Sequence, residues 1–136
     1  MTALRFEDVE FGAELPAFEP DTSLANVRRF ARAAEMMAGR FVDHDEARKE
    51  GLPGALVPGV MSQGILAAMI HRWAPGAEIQ KIDTVFRAPV MVDEPHQVSG
   101  VVTDLDAATR SAELDLTITN QAGETRVLGT ARVRLP

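Results

Sequence analysis

Pro58-Gly59-Val60-Met61-Ser62-Gln63-Gly64-Ile65-Leu66-Ala67-Ala68-Met69-Ile70-His71-Arg72-Trp73 carries almost no polar side chain before its last turn. A helix at the surface keeps one polar face. Here Val60, Met61, Gly64, Ile65, Ala67, Ala68, Met69 and Trp73 crowd every side, which predicts a buried helix from Val60 to Trp73. After Pro75-Gly76 the period changes from helical to alternating. Ile79 to Val90 and Gln97 to Leu105 read as strands bounded by turn-formers. Ala112, Leu114, Leu116 and Ile118 then alternate with Ser111, Glu113, Asp115, Thr117 and Thr119, one face for a core and one for water. Val127, Ala131, Val133 and Leu135 do the same against Arg126, Arg132 and Arg134, and Asn120-Gln121-Ala122-Gly123 suits the hairpin loop between the two. The pattern predicts an α+β fold with one buried helix followed by about four antiparallel strands in a row.

Upstream, Leu24, Val27, Phe30, Ala31, Ala34 and Met37 recur at helical spacing behind the capping side chains of Asp21, Thr22 and Ser23. A helix from about Ser23 to Met37 follows. Asp43 and Asp45 precede a short helical run, Glu46 to Glu50, that ends at Gly51, and Glu14 to Phe18 reads as a short strand.

The 136 residues suit a single domain, 1–136, with no room for a second. Fourteen Lys and Arg stand against 20 Asp and Glu, a net charge of −6, without a block of like charge, so nucleic acid is not an expected partner. The absence of cysteine excludes disulfides, thiolate metal sites and a thiol nucleophile, and fits a reducing cytoplasm. Met1 to Asp8 shows no export signal, and no apolar run approaches the ~20 residues of a bilayer span, so neither export nor a membrane is expected. His44, His71 and His96 lack metal-site spacing, and no metal or cofactor is expected.

The order and spacing of several pieces carry more than any one of them. Asp43-His44-Asp45-Glu46-Ala47 through Gly51 to Pro58-Gly59-Val60-Met61-Ser62 resembles the hydratase segment of MaoC-like hot-dog proteins. Phe6-Glu7-Asp8-Val9 with Gly12 is similar to that family's opening strand and turn, and Phe86-Arg87-Ala88-Pro89-Val90 to one of its strand ends. The resemblance implies a hot-dog fold, an antiparallel sheet wrapped around the central helix, in subunits that pair as dimers. It also implies hydration of trans-2-enoyl thioesters, or dehydration of (R)-3-hydroxyacyl thioesters, by an aspartate and a histidine, with a backbone amide polarising the thioester carbonyl.

That family begins the segment with Asp-x-Asn-Pro-x-His-x-Asp-x-x-x-Ala. With Asp43, Ala47 and Gly51 fixing the register, Met36, Ala38, Gly39 and Phe41 stand where Asp, Asn, Pro and His are expected. Met36 and Phe41 cannot donate, accept or store a proton, and Ala67 stands where some members present a serine. Gly59 matches the carbonyl-polarising amide, where a missing side chain lets an oxygen approach the start of a helix. The resemblance therefore implies Gly59, Met36, Phe41, Met61 and Ala67 as substrate-binding residues and no confident catalytic residue. The partners implied are an acyl-CoA or acyl-carrier-protein thioester and either a second copy or a catalytic hot-dog subunit, this chain being the degenerate half of a dehydratase.

Other readings stay open. His44 or Asp43 is the nearest substitute base for a self-sufficient hydratase, although His44 is expected to face solvent and Asp43 to cap the short helix. Glu35 is the one acid near Met36 for a thioesterase. A non-enzymatic acyl carrier module is the remaining alternative.

Overall fold

The computed structural model of the protein describes residues 4–136. Its elements are β1 (Glu14–Phe18), α1 (Leu24–Ala33), α2 (Gly39–Val42), α3 (His44–Lys49), α4 (Gly59–Trp73), β2 (Glu78–Phe86), β3 (His96–Asp106), β4 (Ser111–Asn120) and β5 (Thr125–Arg134). The apolar run that begins behind Pro58 forms α4, and five antiparallel strands in the order β1-β3-β4-β5-β2 pack along it. The expected row of four strands is corrected in one respect. Only β3, β4 and β5 form a meander; β2 crosses to the far edge and pairs with β5, setting Ile82 opposite Ala131 and Phe86 opposite Val127. Alternation dictates which face of a strand is buried but not which neighbour it takes, so this crossing left no trace in the period.

Leu66, Met69 and Ile70 on one side of α4 are buried against Val98 and Val102 of β3, Leu114, Leu116 and Ile118 of β4, and Val127 and Val133 of β5. Each such side chain contributes about 1.5–3 kcal/mol by leaving water. Two glycines set the distance between helix and sheet. A Cβ on Gly129 would stand 2.7 Å from Leu66 Cδ1, and one on Gly100 would stand 2.8 Å from Leu116 Cδ2 and 3.3 Å from Met69 Sδ. The other side of α4 departs from the expectation of burial: Val60 is 55% exposed, and Gly64 and Ala68 are open to solvent in the single chain.

The helix expected to reach Met37 stops at Ala33. The Met36 N–H returns to Ala31 O at 2.8 Å and the Glu35 N–H to Arg32 O at 3.3 Å around a left-handed Glu35, φ 57°. This closure is usually marked by glycine. A glutamate in its place hid the stop, and the turn it makes leads into α2, which sequence reading missed. The expected opening strand at Phe6–Val9 is instead a 3₁₀ turn, Phe6–Asp8, anchored by Phe6 N–H to Pro136 O at 2.8 Å and by the Glu7–Arg110 pair. No helix among the described residues is long and apolar enough to cross a membrane.

Candidate functional site

Four segments meet around a cavity of about 390 Å³: Phe41 from α2, Leu56, Val57 and Gly59 from the approach to α4, Phe86 to Val90 from the end of β2, and Val127 from β5. Ser62 completes it from the first turn of α4. Backbone bonds dictate this meeting. Val57 N–H reaches Val90 O at 2.8 Å, Val92 N–H reaches Ala55 O at 3.0 Å, and Leu56 N–H reaches Arg40 O at 2.8 Å, so the approach to α4 is laced to both α2 and the segment after β2. Arg87 and Ala88 N–H both donate to Arg126 O, at 2.9 and 3.2 Å, which turns the chain off the end of β2 into the cavity wall. Gly59 forms a wall against Phe86, whose ring lies so near that a Cβ on Gly59 would meet its Cζ at 3.2 Å.

The lining is apolar apart from Ser62 and Arg87, and it contains no aspartate, glutamate, histidine or lysine. Such a surface accommodates an alkyl chain, each methylene contributing roughly 0.8 kcal/mol. General acid–base catalysis needs a group that changes protonation near the working pH, and no carboxylate or imidazole lines this wall. A wider depression of about 640 Å³ crosses β1, β3 and β4 on a face lined by Glu14, Ser99, Asp115 and Thr117, and none of the sequence-predicted residues lies in it.

Of those residues, Gly59 and Phe41 line the 390 Å³ cavity, and Met36, Met61 and Ala67 do not. Met61 is buried in the core at 7% exposure; Met36, in the turn after α1, and Ala67, on α4, are half-buried. Asp43 caps α3, its Oδ1 accepting the Glu46 N–H at 3.0 Å, and that bond holds its carboxyl below the usual range. His44 is not the solvent-facing side chain expected. Its ring is half-buried, with Nδ1 accepting the Ala55 N–H at 3.0 Å and Nε2 2.8 Å from Asp93 Oδ2, because the chain after Gly54 folds back over the start of α3. Asp93 in turn is held below its ordinary carboxylate range, first by His44 and then by the Leu24 N–H.

His96, expected in a loop, opens β3 and is only 3% exposed, Nδ1 meeting Glu94 O at 2.8 Å. His71 and Glu35 are exposed. Among the described residues no cluster of three metal-ligating side chains occurs. Ser62 and Val127 escaped sequence reading; the inward alternation of β5 pointed to Val127 as core, and nothing distinguished Ser62 from other helix residues.

No family model matches the sequence, and no curated protein matches it. Solved structures do. The (R)-hydratase from A. caviae involved in PHA biosynthesis superposes with a TM-score of 0.90 at 23% identity, over 96% of this chain and 99% of that one. A MaoC-like dehydratase gives 0.89 at 25% identity over 98% of this chain and 43% of its own. The ChsH1-ChsH2 complex from Mycobacterium tuberculosis gives 0.85 at 20% identity, over 93% and 98%.

Proposed function

We propose that this chain, whose fold is that of the MaoC-like hot-dog hydratases and dehydratases, binds acyl-CoA or acyl-carrier-protein thioesters without an acid–base pair of its own and serves as the degenerate subunit of a dehydratase. One observation carries the reading: the cavity beside the first turn of α4 keeps Gly59 and presents Phe41, yet no carboxylate or imidazole lines it. In the register fixed by Asp43, Ala47 and Gly51, Phe41 stands for the family's histidine and Met36 for its aspartate.

The nearest substitutes are committed elsewhere. Both ring nitrogens of His44 are engaged, and Asp43 is occupied as a helix cap. The absence of a carboxylate or imidazole from the cavity lining supports a partner that supplies one. Phe86 lines the cavity and is 53% exposed, and its neighbour Val85 is 59% exposed, at the end of edge strand β2. Apolar surface of this kind on an unpaired edge favours a second subunit. One similar structure is itself a complex of two proteins, which supports a heteromeric arrangement.

The chain binds the acyl group and polarises its carbonyl with the Gly59 amide; the partner moves the proton. Co-expression with a hot-dog chain that carries the Asp and His is expected to give a stable heterodimer that hydrates crotonyl-CoA. Recovery of homodimers alone, without affinity for any acyl thioester, contradicts the proposal.

A further inference from the structure

We infer that His44 and Asp93 are a positioning pair that holds one wall of the cavity only while the imidazole is neutral and protonated on Nε2. The inference deepens the proposed function and rests on its reading of the cavity as the ligand site.

The proton assignment follows from the partners. Ala55 N–H can only donate, and it lies 3.0 Å from His44 Nδ1, so that nitrogen must be the bare acceptor. The one proton of the neutral ring is then on Nε2, donated to Asp93 Oδ2 at 2.8 Å. The other carboxylate oxygen, Oδ1, accepts the Leu24 N–H at 2.9 Å at the start of α1. Asp93 holds a left-handed backbone, φ 66°, with its own N–H on Thr22 O at 2.9 Å. One imidazole thereby joins α3, the segment leading to α4 and the turn after β2.

One end of the wall is tied to this junction, beside the backbone bonds of Leu56 and Val57 to Arg40 and Val90. Ala55 immediately precedes Leu56 and Val57, which line the cavity, and the Ala55 carbonyl accepts the Val92 N–H at 3.0 Å. There is little slack, since a Cβ on Gly54 would sit 3.0 Å from His44 Nδ1. The charged groups around the ring are Asp93 itself, Arg28 of α1 with its Nε on Val42 O at 2.7 Å, Asp43 and Asp45 of α3, and Arg48, which pairs with Asp45 and bonds Pro53 O. A second proton on the ring goes to Nδ1. It turns an acceptor into a donor facing the Ala55 N–H, while the contact with Asp93 persists as an ion pair. The acid form keeps the turn and loosens the wall at Ala55.

Asp93→Asn makes the same point at constant pH. An amide that accepts from Leu24 N–H with its oxygen presents NH₂ to Nε2 and forces the ring proton onto Nδ1; the flipped amide loses the Leu24 bond instead. Either way one bond of the junction fails.

The test uses the whole chain, labelled with ¹⁵N. Imidazole spectra near pH 8 are expected to show the Nε2-protonated tautomer; the Nδ1-protonated form overturns the inference. The hydrogen-exchange protection factor of the Ala55 amide is expected to fall about 10-fold between about pH 8 and about pH 5, and crotonyl-CoA affinity to fall with it. His44→Phe should bind weakly and without that pH dependence. Unchanged Ala55 protection overturns the inference whatever the ligand does. Lower protection with unchanged affinity overturns the positioning role and leaves the acyl-binding proposal standing. No binding by the wild type at any pH overturns both.

Discussion

A methyl group on Gly59 would stand 3.2 Å from Phe86 Cζ and 3.4 Å from Cε1, so the two residues close one side of the cavity without a gap. Gly59→Ala is therefore expected to push the Phe86 ring, a movable side-chain end, and to narrow the cavity while the fold survives. Acyl-thioester affinity should drop about 10-fold with a small change in Tm. Titration calorimetry with an acyl-CoA checks this, and undiminished affinity would detach the cavity from the ligand.

Restoring the missing chemistry is the converse experiment. Phe41→His, which sets an imidazole in the cavity wall, is expected to raise crotonyl-CoA hydration about 10²-fold above the wild-type background, the lower end of what one positioned acid–base group contributes. Phe41 lines the cavity and Met36 does not, so Phe41→His alone should already perturb ligand affinity, whereas Met36→Asp alone should not. Equal effects from the two single variants would contradict this geometry.

The sheet's closeness to α4 makes Leu116 and Gly129 sensitive. Leu116 is fully buried, and Leu116→Ala should cost about 2–5 kcal/mol in denaturant unfolding. Gly129→Ala would set its Cβ 2.7 Å from Leu66 Cδ1 and should cost about 1–3 kcal/mol by overpacking. A loss below about 0.5 kcal/mol in both would show that the helix and sheet do not pack at this distance.

Glu7 gives a pH signature. Two hydrogen bonds from Arg110 are the main reason its carboxyl falls from 4.5 to about 2. A depressed carboxylate stabilises the fold fully above its unfolded value and loses that contribution as the pH falls through the folded one. The Tm gap between wild type and Glu7→Gln should thus be constant above about pH 5 and close between pH 4.5 and about 2. A gap that persists at pH 2 would rule out the pairing.

The alternation of Ala112 to Ile118 and the largely apolar run behind Pro58 made the sheet and its helix legible in the sequence, because burial of one strand face or of most of a helix leaves its mark on the pattern. Pairing partners leave none, which is why the crossing of β2 to β5 had to be seen. The end of α1 was hidden by a glutamate doing what glycine usually does, and with it the short α2 that delivers Phe41. Gly59 and Phe41 could be singled out from spacing and resemblance. Ser62, Val127 and the His44–Asp93 junction could not, since they depend on contacts between residues far apart in the chain, His44 and Asp93 being 49 positions apart.

The most direct measurement is enoyl-CoA consumption by the purified chain, alone and after mixing with a hot-dog subunit that carries the Asp and His. The account predicts saturable binding but no turnover by the chain alone, and hydration once the partner is added. Turnover by the chain alone, at a rate that mixing does not change, would contradict it.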